Sequence, residues 1–171
     1  MNPTTDQSLD TPSLPEGRIV GRRAFVDLVR QAIAAAASEG WVKMVWCDPD
    51  FADWPLGERS VIESMQAWSA SGRSLHLLAQ DFSVLQQHHP RFVQWRVMWS
   101  HLVEARATGR GTGGELPSAL WTPQWTMERL DLKHNVVVAT FDAARRVALG
   151  ERLDAGWHKA SPSFPASTLG L

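Results

Sequence analysis

The stretch WVKMVWC (41–47), followed at once by DPDFADWPLG (48–57), sets the frame for the whole chain. The first seven residues are short, apolar and β-prone, and only Lys43 interrupts the apolar character of both faces. A strand covered on both sides reads this way, as in the interior of a parallel sheet. The next ten residues break regularity with two prolines and a glycine. A buried strand ending in a carboxylate-rich loop is the pattern of an open α/β sheet, where ligands sit beyond the carboxyl ends of strands.

The neighbouring segments extend this pattern. From Arg22 to Ser38, Phe25, Leu28, Val29, Ala32, Ile33 and Ala36 recur at helical spacing. The alanines from Ala34 to Ala37 add intrinsic helix preference, and Gly40 is placed to end the helix. Glu58 to Ser71 predicts a second helix, with Val61, Ile62, Met65 and Trp68 on one side. SLHLLA (74–79) predicts a second buried strand. Asp81 is placed to cap a helix carrying Phe82, Val84 and Leu85. Pro90 interrupts that helix or restarts it at a first-turn position. Phe92, Val93, Trp95, Val97 and Trp99 supply a further apolar stripe, and HLVEARA (101–107) a third strand. Strand, helix, strand, helix, strand implies parallel pairing with right-handed crossovers.

Beyond a glycine-rich loop at 109–117 the pattern changes. WTMERLDL, NVVVAT and RRVALGE predict three strands in an antiparallel meander, with turns at Lys133–His134 and at 141–144. LDAGWHKA predicts a short helix. The expected fold is a single mixed α/β domain over 18–171, with helices on both faces. Residues 1–17 are expected to form a flexible arm. The closing SPSFPASTLGL is loop-like, with Phe164, Leu169 and Leu171 able to lie in a groove.

Composition narrows the functional classes. The chain has 171 residues, 17 Lys+Arg against 18 Asp+Glu, and a net charge of -1. That balance argues against a polybasic nucleic-acid binder, so nucleic acid is an unlikely partner on this reading. One cysteine, Cys47, excludes an internal disulfide and a Cys-cluster zinc site. The adjacent Asp48 disfavours a reactive thiolate there. The N-terminus has no basic region followed by an apolar run, and no membrane-length apolar stretch occurs, so a cytoplasmic address without membrane contact is expected.

Three groups of residues are candidates for chemistry. Asp48, Asp50 and Asp53 could hold Mg²⁺, since a hard cation prefers oxygen ligands, with Asp81 or His76 as further ligands. The competing reading is that Asp48 and Asp53 cap turns around Pro49 and Pro55. His88, His89, Arg91, Trp95 and Arg96 could form a cationic and aromatic surface, or could mark a helix break with an Arg packed on Trp. The chain has nine Trp and no Tyr. Most of them fit core positions, whereas Trp54 and Trp121 are candidates for a binding surface.

CDPDFADWPLGERSVIE, LLAQDFSVLQQHHPRFVQWR and the closing STLGL resemble a group of bacterial proteins of undefined role that carry a phospholipase D-like domain. The likeness spans about Phe25 to Leu171. The resemblance implies a phospholipase D-like layout and a homodimer, because single-copy domains of that kind pair to build their cleft. Active members use H-x-K-x-x-x-x-D. Here His134 is followed by Val136 at the lysine position and Phe141 at the aspartate position, with Asp142 one residue late. A valine cannot neutralise phosphate charge, so the expected role is binding, regulation or self-association, with a protein partner possible and no cofactor. The alternative is a metal-dependent phosphoesterase or nuclease built on Asp48, Asp50 and Asp53, and only that alternative requires Mg²⁺.

Overall fold

The computed structural model describes residues 13–111 and 116–166. They form one α/β domain around an eight-stranded mixed sheet. The strands are β1 (Gly17–Val20), β2 (Lys43–Cys47), β3 (Ser74–Ala79), β4 (Val103–Ala107), β5 (Ser118–Trp121), β6 (Thr126–Asp131), β7 (Val136–Thr140) and β8 (Ser161–Pro162). Their order is β1-β7-β6-β5-β2-β3-β4-β8. β2, β3 and β4 pair in parallel, and β2-β5-β6-β7-β1 pair antiparallel. The parallel unit and the meander expected from sequence therefore share one sheet.

Alternation along the strands sorts side chains onto two faces. Met44 and Trp46, Leu75 and Leu77, Leu120, Met127, Val137 and Ala139 enter the larger core. Over them lie α1 (Arg22–Glu39), α2 (Arg59–Trp68) and α4 (Pro90–Met98), with the short α3 (Ser83–His88) leading into α4. Gly40 ends α1 with φ 70°, in the left-handed region that glycine enters without a Cβ penalty. Trp68 Nε1 donates to the Trp41 carbonyl at 2.6 Å, fixing α2 to the start of β2. Pro90 is the first residue of α4, which needs no N–H there.

The opposite face is covered by α5 (Ala143–Lys159). Here the structure corrects the sequence reading: RRVALGE is not a third meander strand but the first half of this 17-residue helix, and LDAGWHKA is its second half. Asp142 caps it by accepting from the Arg145 N–H at 2.9 Å. Leu149 and Leu153, four residues apart, pack on Cys47, Leu78 and Ala119. The third antiparallel strand is instead β5, SALW, which lies just past the glycine-rich segment.

The N-terminal end differs from expectation where it is described. Leu14 is buried, the Pro15 carbonyl accepts from Trp125 Nε1 at 3.0 Å, and Gly17 begins β1. Those residues are thus part of the domain rather than an arm. Residues 1–12, 112–115 and 167–171, including Leu169 and Leu171, lie outside the described residues. At the C-terminal end Phe164 lies buried, as its apolar side chain suggested, and stacks on Phe82 with ring centroids 5.4 Å apart. No helix among the described residues is long and apolar enough to cross a membrane.

Candidate functional site

β2 ends at Cys47, and β5 and β6 run antiparallel beside it, so Asp48, Ser118 and Arg129 meet at one end of the sheet. The Arg129 guanidinium fills the crevice there. Its Nη2 donates to Asp48 Oδ2 at 2.9 Å, its Nη1 to Asp53 Oδ2 and Asn135 Oδ1 at 3.0 Å each, and its Nε to Ser118 Oγ at 3.1 Å. It also stands 4.2 Å over the Phe25 ring. The Arg129 and Asp48 side chains are only 2% and 1% exposed, so no ligand reaches either without opening the domain.

Asp48 is held just as fully. Its Oδ1 accepts from the backbone of Asp50 and Phe51 at 3.1 and 2.8 Å. Its Oδ2 accepts from Ser118 Oγ at 2.6 Å and Trp54 Nε1 at 3.1 Å, besides Arg129. This carboxylate shapes its own loop and shields the guanidinium charge. Asp53 joins it at Arg129 and lies 3.7 Å from the exposed Arg22. Asp50 turns back to accept from the Ala52 N–H at 2.9 Å. The structure thus brings Asp48 and Asp53 together and sends Asp50 elsewhere. No group of three or more His, Cys, Asp or Glu side chains suited to a metal ion occurs among the described residues.

The remaining candidates occupy separate places. Trp54 is buried, not exposed as its loop position suggests, because its indole packs against Phe25, Trp46 and Phe51. His134 sits exposed in the β6–β7 turn, with Nδ1 2.8 Å from Asp131 Oδ2. Asp81 accepts from the Ser83 N–H at 2.6 Å and from its hydroxyl, which holds the Asp81 carboxyl below its ordinary range. His89 is buried, and its Nε2 donates to the Phe51 carbonyl at 2.9 Å. Burial lowers its pKa. Arg96 and Trp95 are buried as well, Arg96 donating to the Phe164 carbonyl at 3.3 Å and Trp95 Nε1 to Ser69 Oγ at 3.1 Å. Only His88 and Arg91 of that group are exposed, so no continuous cationic and aromatic surface forms there. Burial, then Asp48, pushes the Cys47 thiol well up.

A second concavity lies on the other face, beneath α5. This cleft has a volume of 520 Å³ and an open mouth. Its floor is Lys43 and Val45 of β2 with His76 of β3. Trp121 forms one wall, held by a hydrogen bond from its Nε1 to the Arg146 carbonyl at 2.8 Å. Trp157 forms the other, stacked on His76 with centroids 4.5 Å apart and planes 5° from parallel. Arg106 lies 4.6 Å over the Trp157 ring and donates to its carbonyl at 3.2 Å. His76 is half-buried, and desolvation lowers its pKa against the opposing pull of Glu104. Gly150 lets α5 approach Trp121, since a Cβ there would stand 3.1 Å from the indole nitrogen.

Sequence reasoning did not single out Arg129, Ser118 or Asn135. The signal for the arginine was parity: in β6, Met127 and Arg129 share the core-facing side, and a charge on that side needs a buried partner. Lys43 shares the parity of Val45 in the same way, which places it at the cleft.

The geometry defines a mixed α/β domain with a buried Arg129–Asp48 pair at one end of the sheet and an open cleft beneath α5. No family model and no curated protein sequence matches the chain. Among solved structures it is similar to that of TrmBL2, an archaeal chromatin protein described as showing a novel mode of DNA binding. That match has 14% identity, a TM-score of 0.62 and coverage of 85% of this chain. The chain spans about half of that protein (52%). It is also similar to NucT from Helicobacter pylori, with 7% identity, a TM-score of 0.58, and coverage of 87% of this chain and 99% of that one. At such identities the likeness establishes a shared fold. It also overturns the dismissal of nucleic acid as a partner: the near-neutral net charge averages over the whole chain, and this fold occurs in a chromatin protein with a DNA-binding mode.

Proposed function

We propose that this chain is a phospholipase D-like domain that holds nucleic acid without hydrolysing it. The observation that carries the reading is the state of Arg129. It is the cation of the crevice, and Asp48 and Asp53 claim its guanidinium at 2.9 and 3.0 Å. Val136 stands where a phosphate-binding lysine would stand, and the exposed His134 imidazole is paired with Asp131. The site is built like a structural plug, and binding must use the surface around it.

That surface carries exposed cations, two of them beside carboxylates: Arg22 lies 3.7 Å from Asp53 and His134 2.8 Å from Asp131. Arg22 and Arg23 open α1 and are exposed, as are Lys133 and His134 in the β6–β7 turn. The two segments are joined by the Gly21 N–H, which donates to the Asn135 carbonyl at 3.0 Å. The first turn of α1 contains no acidic residue to oppose an incoming phosphate. The test is fluorescence anisotropy with single- and double-stranded oligonucleotides across a salt series. Binding should weaken with salt. The Arg23→Ala/Lys133→Ala variant should flatten the logarithmic salt slope by roughly 2, about one for each phosphate left without its cation. Absence of binding at low salt, or an unchanged slope in the variant, refutes the proposal.

The convergence of Asp48 and Asp53 favours one second reading, a Mg²⁺-dependent phosphoesterase or nuclease. It requires the metal to displace Arg129 from both carboxylates. Its signature is Mg²⁺- or Mn²⁺-dependent cleavage that disappears in Asp53→Asn.

A further inference from the structure

The cleft beneath α5 is independent of the crevice and the exposed cations around it, and its walls are aromatic. Six of the nine tryptophans, at positions 41, 46, 54, 68, 95 and 125, are core residues no more than 2% exposed. Trp121 and Trp157 are instead half-buried, and both border this one cleft. We infer that the cleft receives a purine nucleobase between Trp121 and the His76–Trp157 stack.

The spacing follows from strand register. Trp121, Val45 and His76 stand in one row across β5, β2 and β3. Adjacent strands lie about 4.8 Å apart, so Trp121 and His76 rise from the sheet about 9–10 Å from each other. A planar ring in van der Waals contact on both sides needs about 3.5–4.0 Å per face, or about 7–8 Å in all. Val45, the residue between them, does not bridge that gap, and Lys43 of the same strand, 5.7 Å over the Trp121 ring, shifts to the edge of the base on binding. Both walls are fixed in advance, Trp121 by its hydrogen bond to Arg146 and Trp157 by Arg106, so little ordering cost remains at binding.

The polar groups fit a purine edge better than a cation. Each indole already has one of the protein's own cations over it, Lys43 at 5.7 Å and Arg106 at 4.6 Å. Lys43 donates toward ring acceptors such as guanine O6 and N7, and the exposed Asp154 at the mouth accepts from amino or ring N–H groups. Stacking supplies affinity and these two groups supply orientation. As a nucleic-acid subsite, the cleft rests on the reading proposed above, and a free nucleotide presents the same base chemistry.

Tryptophan fluorescence titration of the full chain with GMP, AMP and UMP is the test, with oligonucleotide anisotropy run in parallel. GMP should quench saturably and bind more tightly than UMP. Val45→Phe, which fills the gap, should weaken GMP by about tenfold or more, the scale of a lost stacking site. Gly150→Ala, whose Cβ would stand 3.1 Å from the Trp121 indole nitrogen and press that wall toward the gap by a few tenths of an ångström, should weaken GMP in the same direction and serves if Val45→Phe fails to fold. Loss of GMP binding in these variants supports the cleft. No saturable quenching, UMP binding as tightly as GMP, or unaltered GMP binding in a folded variant overturns it. If oligonucleotides bind but no mononucleotide does, the cleft assignment fails and the nucleic-acid reading stands. If GMP binds through the cleft and oligonucleotides do not, the cleft takes free nucleotides and the nucleic-acid reading fails.

Discussion

Replacing Arg129 by Met tests whether the crevice is a plug or a working site. Methionine keeps much of the aliphatic length and the packing on Phe25 while deleting the guanidinium. Four hydrogen bonds disappear, to Asp48, Asp53, Ser118 and Asn135. Asp48 keeps its other donors but loses its buried counter-charge. Breaking a buried pair from one side costs about 3–5 kcal/mol. The Asp53 arm adds less, because that side chain is 36% exposed and water already screens it. A domain of this size shifts its Tm by about 2–4 °C per kcal/mol, so the expected fall is roughly 6–20 °C. Urea denaturation should show the same loss as a lower midpoint with an unchanged slope. Arg129→Lys should fall between, since one ammonium cannot serve two carboxylates as a fork does. A loss below about 1 kcal/mol in Arg129→Met would refute the reasoning, because surface pairs have that magnitude. It would mean that Asp48 is not dependent on this cation.

Other expectations follow from the same geometry. His89 is buried with its pKa lowered from 6.5, so the unfolded chain binds a proton that the folded chain resists. Stability should therefore be full above pH 6.5 and fall as pH drops below that value toward the lower folded pKa. Chemical denaturation at pH 7 and pH 5 should show a smaller difference in His89→Gln, and an unchanged pH slope would count against burial of a neutral imidazole. Cys47 should react with a maleimide or a disulfide reagent only after denaturation, since it is buried and its thiol is pushed up; rapid labelling of the native chain would contradict that placement. Asp142→Ala removes the cap of α5 and should cost about 1 kcal/mol by denaturant titration, whereas Asp142→Asn should be close to neutral.

The sequence revealed the parallel half of the sheet more clearly than the rest. WVKMVWC and SLHLLA form strands covered by helices on both sides, and short continuous apolar runs between turn signals are the mark of such strands. RRVALGE misled because Val147, Ala148 and Leu149 give a short apolar run with strand preference. The helical signal lay at longer range, in Asp142 before the run and in the 149, 153, 157 spacing after it. SALW was too short to stand out beside a glycine-rich loop. Trp54 looked exposed because prolines and aspartates surround it, and only Asp48, reaching back from six residues earlier, shows why an indole would turn inward. The α5 cleft could not be read from sequence at all. It depends on three strands aligning Trp121, Val45 and His76, and on Gly150 lying opposite one of them.

Arg129 is joined to carboxylates 76 and 81 positions away, through a strand whose side chains alternate between opposite faces. Sliding β6 by a single position would carry the guanidinium out beneath α5 and leave Asp48 stranded without it. Such a slip would also turn Met127 out of the core, and the stranded buried charge adds its own penalty to that loss. The salt bridge therefore acts as a proofreader of strand alignment, admitting one pairing of the meander and rejecting its nearest neighbours.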